Sequence, residues 1–183
     1  FPMNEMRKIL VVTCSKSDGR DSMLAKSLNE LKNDVTVVIN ANNKSGLSQA
    51  YNGQLTAENL IKHDIVLFVH DDVFIDDLKL KGKLYTAMNQ MKYDIVGLAG
   101  SSKIKIKQPC LWHTMSERED MSGAVSHPVN ESSQLGVTSF GPWPKRCLVV
   151  DGLFMAVNLK NVLHAGWKFN ESFKFHHYDL SSC

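Results

Sequence analysis

Four short apolar segments constrain this chain most: Lys8 to Cys14 (KILVVTC), Asp34 to Asn40 (DVTVVIN), Asp64 to His70 (DIVLFVH) and Asp94 to Gly100 (DIVGLAG). None of them alternates apolar with polar residues. Strands of that kind are covered on both faces, as in a parallel sheet between layers of helices. Helical spacings fill the gaps. Leu24, Leu28 and Leu31 follow Asp18 and Asp21 as capping candidates. Ser45 is placed to cap a helix carrying Leu47, Ala50, Tyr51 and Leu55. Leu80, Leu84, Ala87 and Met91 mark a third helix, with Asp76 and Asp77 at its positive end. Right-handed crossovers then predict an open α/β sheet.

The pattern changes after Gly100. Residues 101–141 are irregular and rich in Ser, His, Gly and Pro. Lys103 to Lys107 alternates and reads as an edge strand whose lysines form a solvated face that blocks edge pairing. Arg146 to Asn158 returns to strand character, interrupted at Asp151-Gly152. Residues 1–6 carry no signal-peptide core and read as an N-terminal extension or cloning remnant. The chain stops at Cys183 without a closing helix or cap, so the expectation is a domain truncated at its C-terminus.

Lys plus Arg is 21 and Asp plus Glu is 19 among 183 residues, a net charge of +2. That balance gives no support to a nucleic-acid binder driven by bulk charge. No apolar run approaches the roughly 18 residues of a membrane helix. Cys14, Cys110, Cys147 and Cys183 form no CxxC pair. Reduced thiols in a cytoplasmic protein, soluble or peripheral to a membrane, are the expectation.

Ligands of open α/β sheets bind beyond the carboxyl ends of the strands. Here those ends carry Thr13, Cys14 and Ser15, then Asn40 to Asn43, then His70, Asp71 and Asp72, and Ser101. No GxGxxG follows the first strand and no GxxxxGK[ST] occurs, which disfavours a dinucleotide fold and excludes a P-loop. In Phe68-Val69-His70-Asp71-Asp72-Val73 an apolar strand runs straight into acids. If extended, His70 and Asp72 share a side. Carboxylates suit Mg²⁺ or Mn²⁺ where a diphosphate supplies further ligands; the plainer alternative is that both acids cap the next turn. In Phe175-His176-His177-Tyr178-Asp179 a carboxylate follows histidines, as a general base or as a solvated loop. Gly152, inside a strand pattern, permits close approach or marks a bulge. Trp143, between Pro142 and Pro144, is a candidate for stacking on a sugar ring or for ordinary packing.

Taken in order, Asn43-Lys44-Ser45-Gly46-Leu47 with Ala50-Tyr51-Asn52, then Phe68 to Val73, then Val150-Asp151-Gly152, then Tyr178-Asp179-Leu180 resemble the GT-A glycosyltransferases of family 2. The resemblance is closest to a bacterial branch in which His-x-Asp-Val replaces Asp-x-Asp, and it covers residues 7–183. It implies a GT-A type, Rossmann-like, open and mostly parallel sheet with helices on both faces. It implies that Asp72, the last acid of the motif, holds Mn²⁺ or Mg²⁺ on a nucleotide diphosphate. His70 stands at the first acid's position and Asp71 in the middle. Thr13, Cys14 and Ser15 match one nucleotide-cradling loop, and Asn40 and Asn42 the other, where Asn replaces the usual acid. Gly46 and Asn52 match the following helix. Asp151 and Gly152 match the donor-sugar and acceptor side. Asp179 matches the catalytic base, with Tyr178 where an acid usually precedes it and Ser181 where one often follows.

The implied reaction is inverting transfer of a sugar from a nucleotide-diphosphate sugar, UDP-sugar favoured, to a glycan or other hydroxyl acceptor. Residues 112–143 are expected to form a lid on the acceptor side. Tyr178 and Ser181 motivate a second reading, a domain that binds nucleotide sugar as a scaffold or regulator without turning it over. A nucleotidyltransferase is a third, disfavoured by the lack of a Gly-rich, basic loop after the first strand.

Overall fold

A computed structural model describes residues 6–104, 112–128, 135–175 and 179. All four apolar segments form strands. β1 (Ile9–Cys14), β2 (Val35–Asn40) and β3 (Ile65–Val69) are parallel neighbours. β1 and β3 are buried on both faces, as their unbroken apolar runs require. Odd-numbered β1 residues Ile9 and Val11 join a core with Leu24, Leu28, Leu80, Leu84 and Met88. Even-numbered Leu10 and Val12 join an opposite core with Tyr51, Leu159, Val162 and Phe169. Helices therefore cover both faces, and each buried aliphatic side chain contributes about 1.5–3 kcal/mol.

The helices are short. α1 (Met23–Leu28) is capped by Ser22, whose hydroxyl accepts from the Ala25 amide at 3.1 Å, and not by Asp18 or Asp21. α2 (Leu47–Asn52) starts at Gly46 instead of a Ser45 cap and ends before Leu55. An unforeseen α3 (Ala57–Lys62) follows, capped by Thr56. α4 (Leu80–Tyr85) runs into a wider π-helical turn at Thr86–Gln90.

The sheet is less uniformly parallel than expected, and there are two of them. The segment Asp94 to Gly100 divides into β4 (Ile95–Gly97) and β5 (Ala99–Ser101), which belong to different sheets. The glycines explain the split. Any side chain on Gly97 would run into Val150 Cγ1, and one on Gly100 into the Val149 carbonyl. Their absence lets β8 (Val149–Val150) close over the switch point. β9 (Phe154–Asn158) then enters the first sheet antiparallel to β3 and β4, giving the order β2-β1-β3-β9-β4. α6 (Leu159–His164) follows it.

Residues expected to be irregular build half of the second sheet, whose order is β7-β6-β5-β8 and whose strands are all antiparallel. β6 (Met121–Pro128) and β7 (Leu135–Gly141) form its outer pair. Their Ser, Gly and His content hid them, because a sheet solvated on one face needs few apolar residues. α5 (Trp112–Met115) brings Trp112 against Ala99 and Val149 as a small separate core. Lys103 and Ile104 are not in a strand, and residues 105–107 of the expected edge strand lie outside the described residues. Among the described residues no helix is long and apolar enough to cross a membrane.

Candidate functional site

The carboxyl ends of β1, β2 and β3 share one edge because the strands are parallel and in register. At that edge Thr13 is buried, and its hydroxyl finds no hydrogen-bond partner among the described residues. A buried hydroxyl without a partner costs about 1–3 kcal/mol. Ser15 is also buried. Its amide donates to the Asn40 carbonyl at 3.1 Å, and its carbonyl accepts from the Asn43 amide at 2.9 Å. Asn40 donates through Nδ2 to the Thr13 carbonyl at 3.1 Å. Asn42 takes a left-handed backbone, φ 51°, and donates its amide to Ser17. Asn and Asp tolerate that conformation best, which explains Asn in this turn.

Cys14 faces the same edge. Burial pushes its thiol up to about 11; side-chain hydrogen bonds to Asn43 and Asn40 oppose that shift, and the negative charge of Asp71 adds to it. That shift favours the protonated thiol, and Cys14 packs against the core that holds Leu10 and Val12. Among the described residues Cys14 and Cys147 are free; Cys110 and Cys183 lie outside the described residues.

The acidic turn leaves β3 here. The Asp71 carbonyl accepts from the Leu24 amide at 3.2 Å, which fastens the turn to α1. Asp71 and His70 are half-buried and Asp72 is exposed. Neither acid caps a helix: Asp77 supplies the turn before α4, accepting from the Lys79 amide at 2.9 Å. Among the described residues no group of three His, Cys, Asp or Glu gathers as a metal centre. The donor set fits a cation that takes one or two protein ligands and most of the others from a phosphate substrate, as Mg²⁺ does.

The turn between β8 and β9 closes the edge from the other side. The His70 amide donates to the Leu153 carbonyl at 3.1 Å. Asp151 Oδ1 accepts from the Leu153 amide at 2.9 Å, which shapes the turn. The Gly152 amide donates to Asp179 Oδ2 at 2.8 Å. Gly152 and Asp179, expected at one site, are thus in hydrogen-bond contact across 27 residues of sequence, with Asp151 adjacent in the same turn. His176, His177, Tyr178, Leu180 and Ser181 lie outside the described residues.

Gly46 and Asn52 serve the segment leading to Asp179. Asn52 donates to the Phe169 carbonyl and to Glu171, and accepts from the Phe169 amide, each at 2.9 Å. Gly46 has φ 105°, and a Cβ there would lie 2.7 Å from the Lys174 carbonyl. The Leu47 amide and the Ser48 hydroxyl donate to the carbonyls of Lys174 and Phe173. Residues 169–175 thus form a strap laid on α2.

Two further expectations resolve locally. Ser101 is buried and donates to the Lys103 carbonyl at 2.6 Å, a strut of the second sheet. Lys103 pairs with Asp120 at 3.1 Å. Trp143 is 67% exposed, so packing does not account for it. Sequence reasoning undervalued Asn43, which touches Cys14 and holds the Gly46 carbonyl at 3.0 Å through Nδ2. Its signal was the Asn-Ala-Asn-Asn run at a strand end. In comparisons with known proteins, the chain matches no family model and no curated protein.

Proposed function

We propose that this chain is an inverting glycosyltransferase domain of GT-A type, which moves a sugar from a nucleotide-diphosphate sugar to a hydroxyl acceptor. The observation that carries this reading is the hydrogen bond between Gly152 and Asp179 beside the β3 acidic turn. It sets a carboxylate where two chain segments meet the strand ends, the usual place for a ligand in an α/β sheet.

In this reading the nucleotide lies along Thr13 to Ser15 and Asn40 to Asn43. The Thr13 hydroxyl, without a partner among the described residues, and the exposed Asn42 meet it. Asp72, with His70, would hold Mn²⁺ or Mg²⁺, which when bound offsets the charge gathering on the departing diphosphate. The Gly152 amide orients the Asp179 carboxylate. Asp179 removes the proton of the acceptor hydroxyl as that oxygen bonds to the anomeric carbon. The bond from that carbon to the diphosphate breaks on the opposite side, and its electron pair leaves with the diphosphate. One displacement inverts the anomeric centre.

The test is a calorimetric titration of UDP, GDP and dTDP, with and without Mn²⁺, on the wild type and Asp72→Ala. Binding of UDP that requires both Mn²⁺ and Asp72 is the expected result. Asp179→Asn keeps that binding and lowers transfer by about 10²–10⁴-fold, the usual contribution of a general base. A folded sample that binds none of the three nucleotides overturns the proposal.

A further inference from the structure

A second concave surface lies where the strand Asp94 to Gly100 changes sheets. It is a groove of about 690 Å³ along the outer edge of β4, which among the described residues pairs only with β9. Its far wall is the segment carrying Trp143, Arg146 and Leu148. We propose that this groove binds an anionic saccharide, one bearing carboxylates, as the acceptor of the transfer reaction. The inference rests on the transferase reading for the role of that ligand, and on the groove's own chemistry for its class.

Three observations carry it. First, the groove exposes apolar surface that a folded chain normally hides: Trp143 is 67% exposed, Leu148 61% and Leu98 47%. An exposed Trp beside a concavity marks a binding surface. Pro142 and Pro144 flank Trp143 and restrict the backbone on both sides, so less backbone freedom is lost on binding. An indole face matches the C–H face of a pyranose ring. Second, the charge is predominantly positive, with Lys92, Lys145 and Arg146 on the groove against the single acid Asp94. Lys92 and Arg146 are exposed on the groove, and the Arg146 guanidinium sits 6.0 Å from the centre of the Tyr93 ring. The acid on the groove, Asp94, accepts from Asn161 Nδ2 at 2.6 Å. A guanidinium held over an aromatic ring pairs with a planar carboxylate in bidentate fashion, which a neutral sugar cannot offer. Third, the groove borders the strand that runs into the turn holding the candidate base. Val150 lines it, and two residues later the Gly152 amide holds Asp179. The Asp151 amide donates to Ala99, also on the groove, at 2.9 Å, which ties floor and site together. The concavity favours a chain of sugar rings over a bilayer, which meets a convex face.

The experiment titrates trigalacturonate and the neutral maltotriose into the wild type, Trp143→Ala and Arg146→Ala. Poly-glutamate and phosphatidylglycerol vesicles are the competing classes. Circular dichroism checks folding, and both substituted residues are exposed. Trigalacturonate is expected to bind at least about tenfold more tightly than maltotriose, and each substitution to weaken it about tenfold. Arg146→Ala is also expected to erase the preference for the charged sugar. Equal binding of both sugars, binding that survives both substitutions, no binding, or equal capture of poly-glutamate or vesicles overturns the proposal. A UDP titration of the same samples separates the two ideas. UDP binding without trigalacturonate binding sinks the groove assignment alone, and the reverse result sinks the transferase reading, and with it the acceptor role, while the groove's ligand class stands.

Discussion

The Asn52 amide group makes three hydrogen bonds to the 169–171 segment, two through Nδ2 and one through Oδ1. That leaves little of it to contact a nucleotide sugar, although its position in the sequence pointed there. Asn52→Ala is therefore expected to destabilise the fold by about 1–3 kcal/mol, because the Phe169 amide and carbonyl lose their partner. Its effect on nucleotide affinity at a temperature where the variant stays folded is expected to be small. Denaturant melts and calorimetry on one sample check this. A variant of wild-type stability that no longer binds UDP would return Asn52 to the ligand. Gly152 shows the opposite case. Its place inside a strand pattern signalled close approach, and the approaching group is a carboxylate 27 residues on. Residue type was legible at both positions, but the partner was not, because a hydrogen bond across the fold leaves no local pattern.

At the scale of elements, strands were easier to read than helices. β1 and β3 declare themselves by unbroken burial. Among the described residues the six α-helices are one or two turns long, too short for a 3.6-residue period to repeat, so the caps of α1 and α2 were misplaced and α3 was missed. The direction of β9 and the division of Asp94 to Gly100 depend on Gly97 and Gly100 meeting β8, a contact between segments about fifty residues apart. The strap of residues 169–175 has no regular structure; Phe169 anchors its start in the core against Phe68, and Gly46, Leu47, Ser48 and Asn52 at α2 hold the rest. Gly46 is its tightest point, with φ 105° and the Lys174 backbone against it. Gly46→Ala is expected to lift the strap, since both the backbone strain of about 1–3 kcal/mol and the overlap with Lys174 oppose the native position. Hydrogen exchange should speed up at Leu47, whose amide bonds Lys174, while β1 and β3 keep wild-type protection. Unchanged exchange at Leu47 would show that the strap is held elsewhere.

For the whole molecule, burial is divided unequally between the two sheets. The first is sandwiched by two large cores, and β1, β3 and most of β9 are nearly inaccessible. The second has Ala99, Trp112 and Val149 as its buried core, and β7 leaves Leu135 and Val137 in water. The sequence foreshadows this asymmetry, since unbroken apolar runs occur in the first sheet and mixed ones in β6 and β7. It does not foreshadow that β5 and β8 extend directly from segments of the first sheet. Opening free energies follow buried apolar contact, so exchange should be slowest in β1, β3 and β9 and faster by orders of magnitude in the β6–β7 pair. Trp112→Ala removes the largest side chain of the second core, at a cost of about 3–5 kcal/mol where that core is formed. The expected outcome is loss of protection through β5, β6 and β7 with β1 and β3 still protected. The Asp151–Leu153 turn lies between β8 of the second sheet and β9 of the first, so its ordering around Asp179 depends on both. Trp112→Ala should therefore lower transfer activity well before it lowers nucleotide binding at the β1–β2–β3 edge. Parallel loss of both, with uniform collapse of exchange protection, would mean that the two sheets fold and fail as one unit.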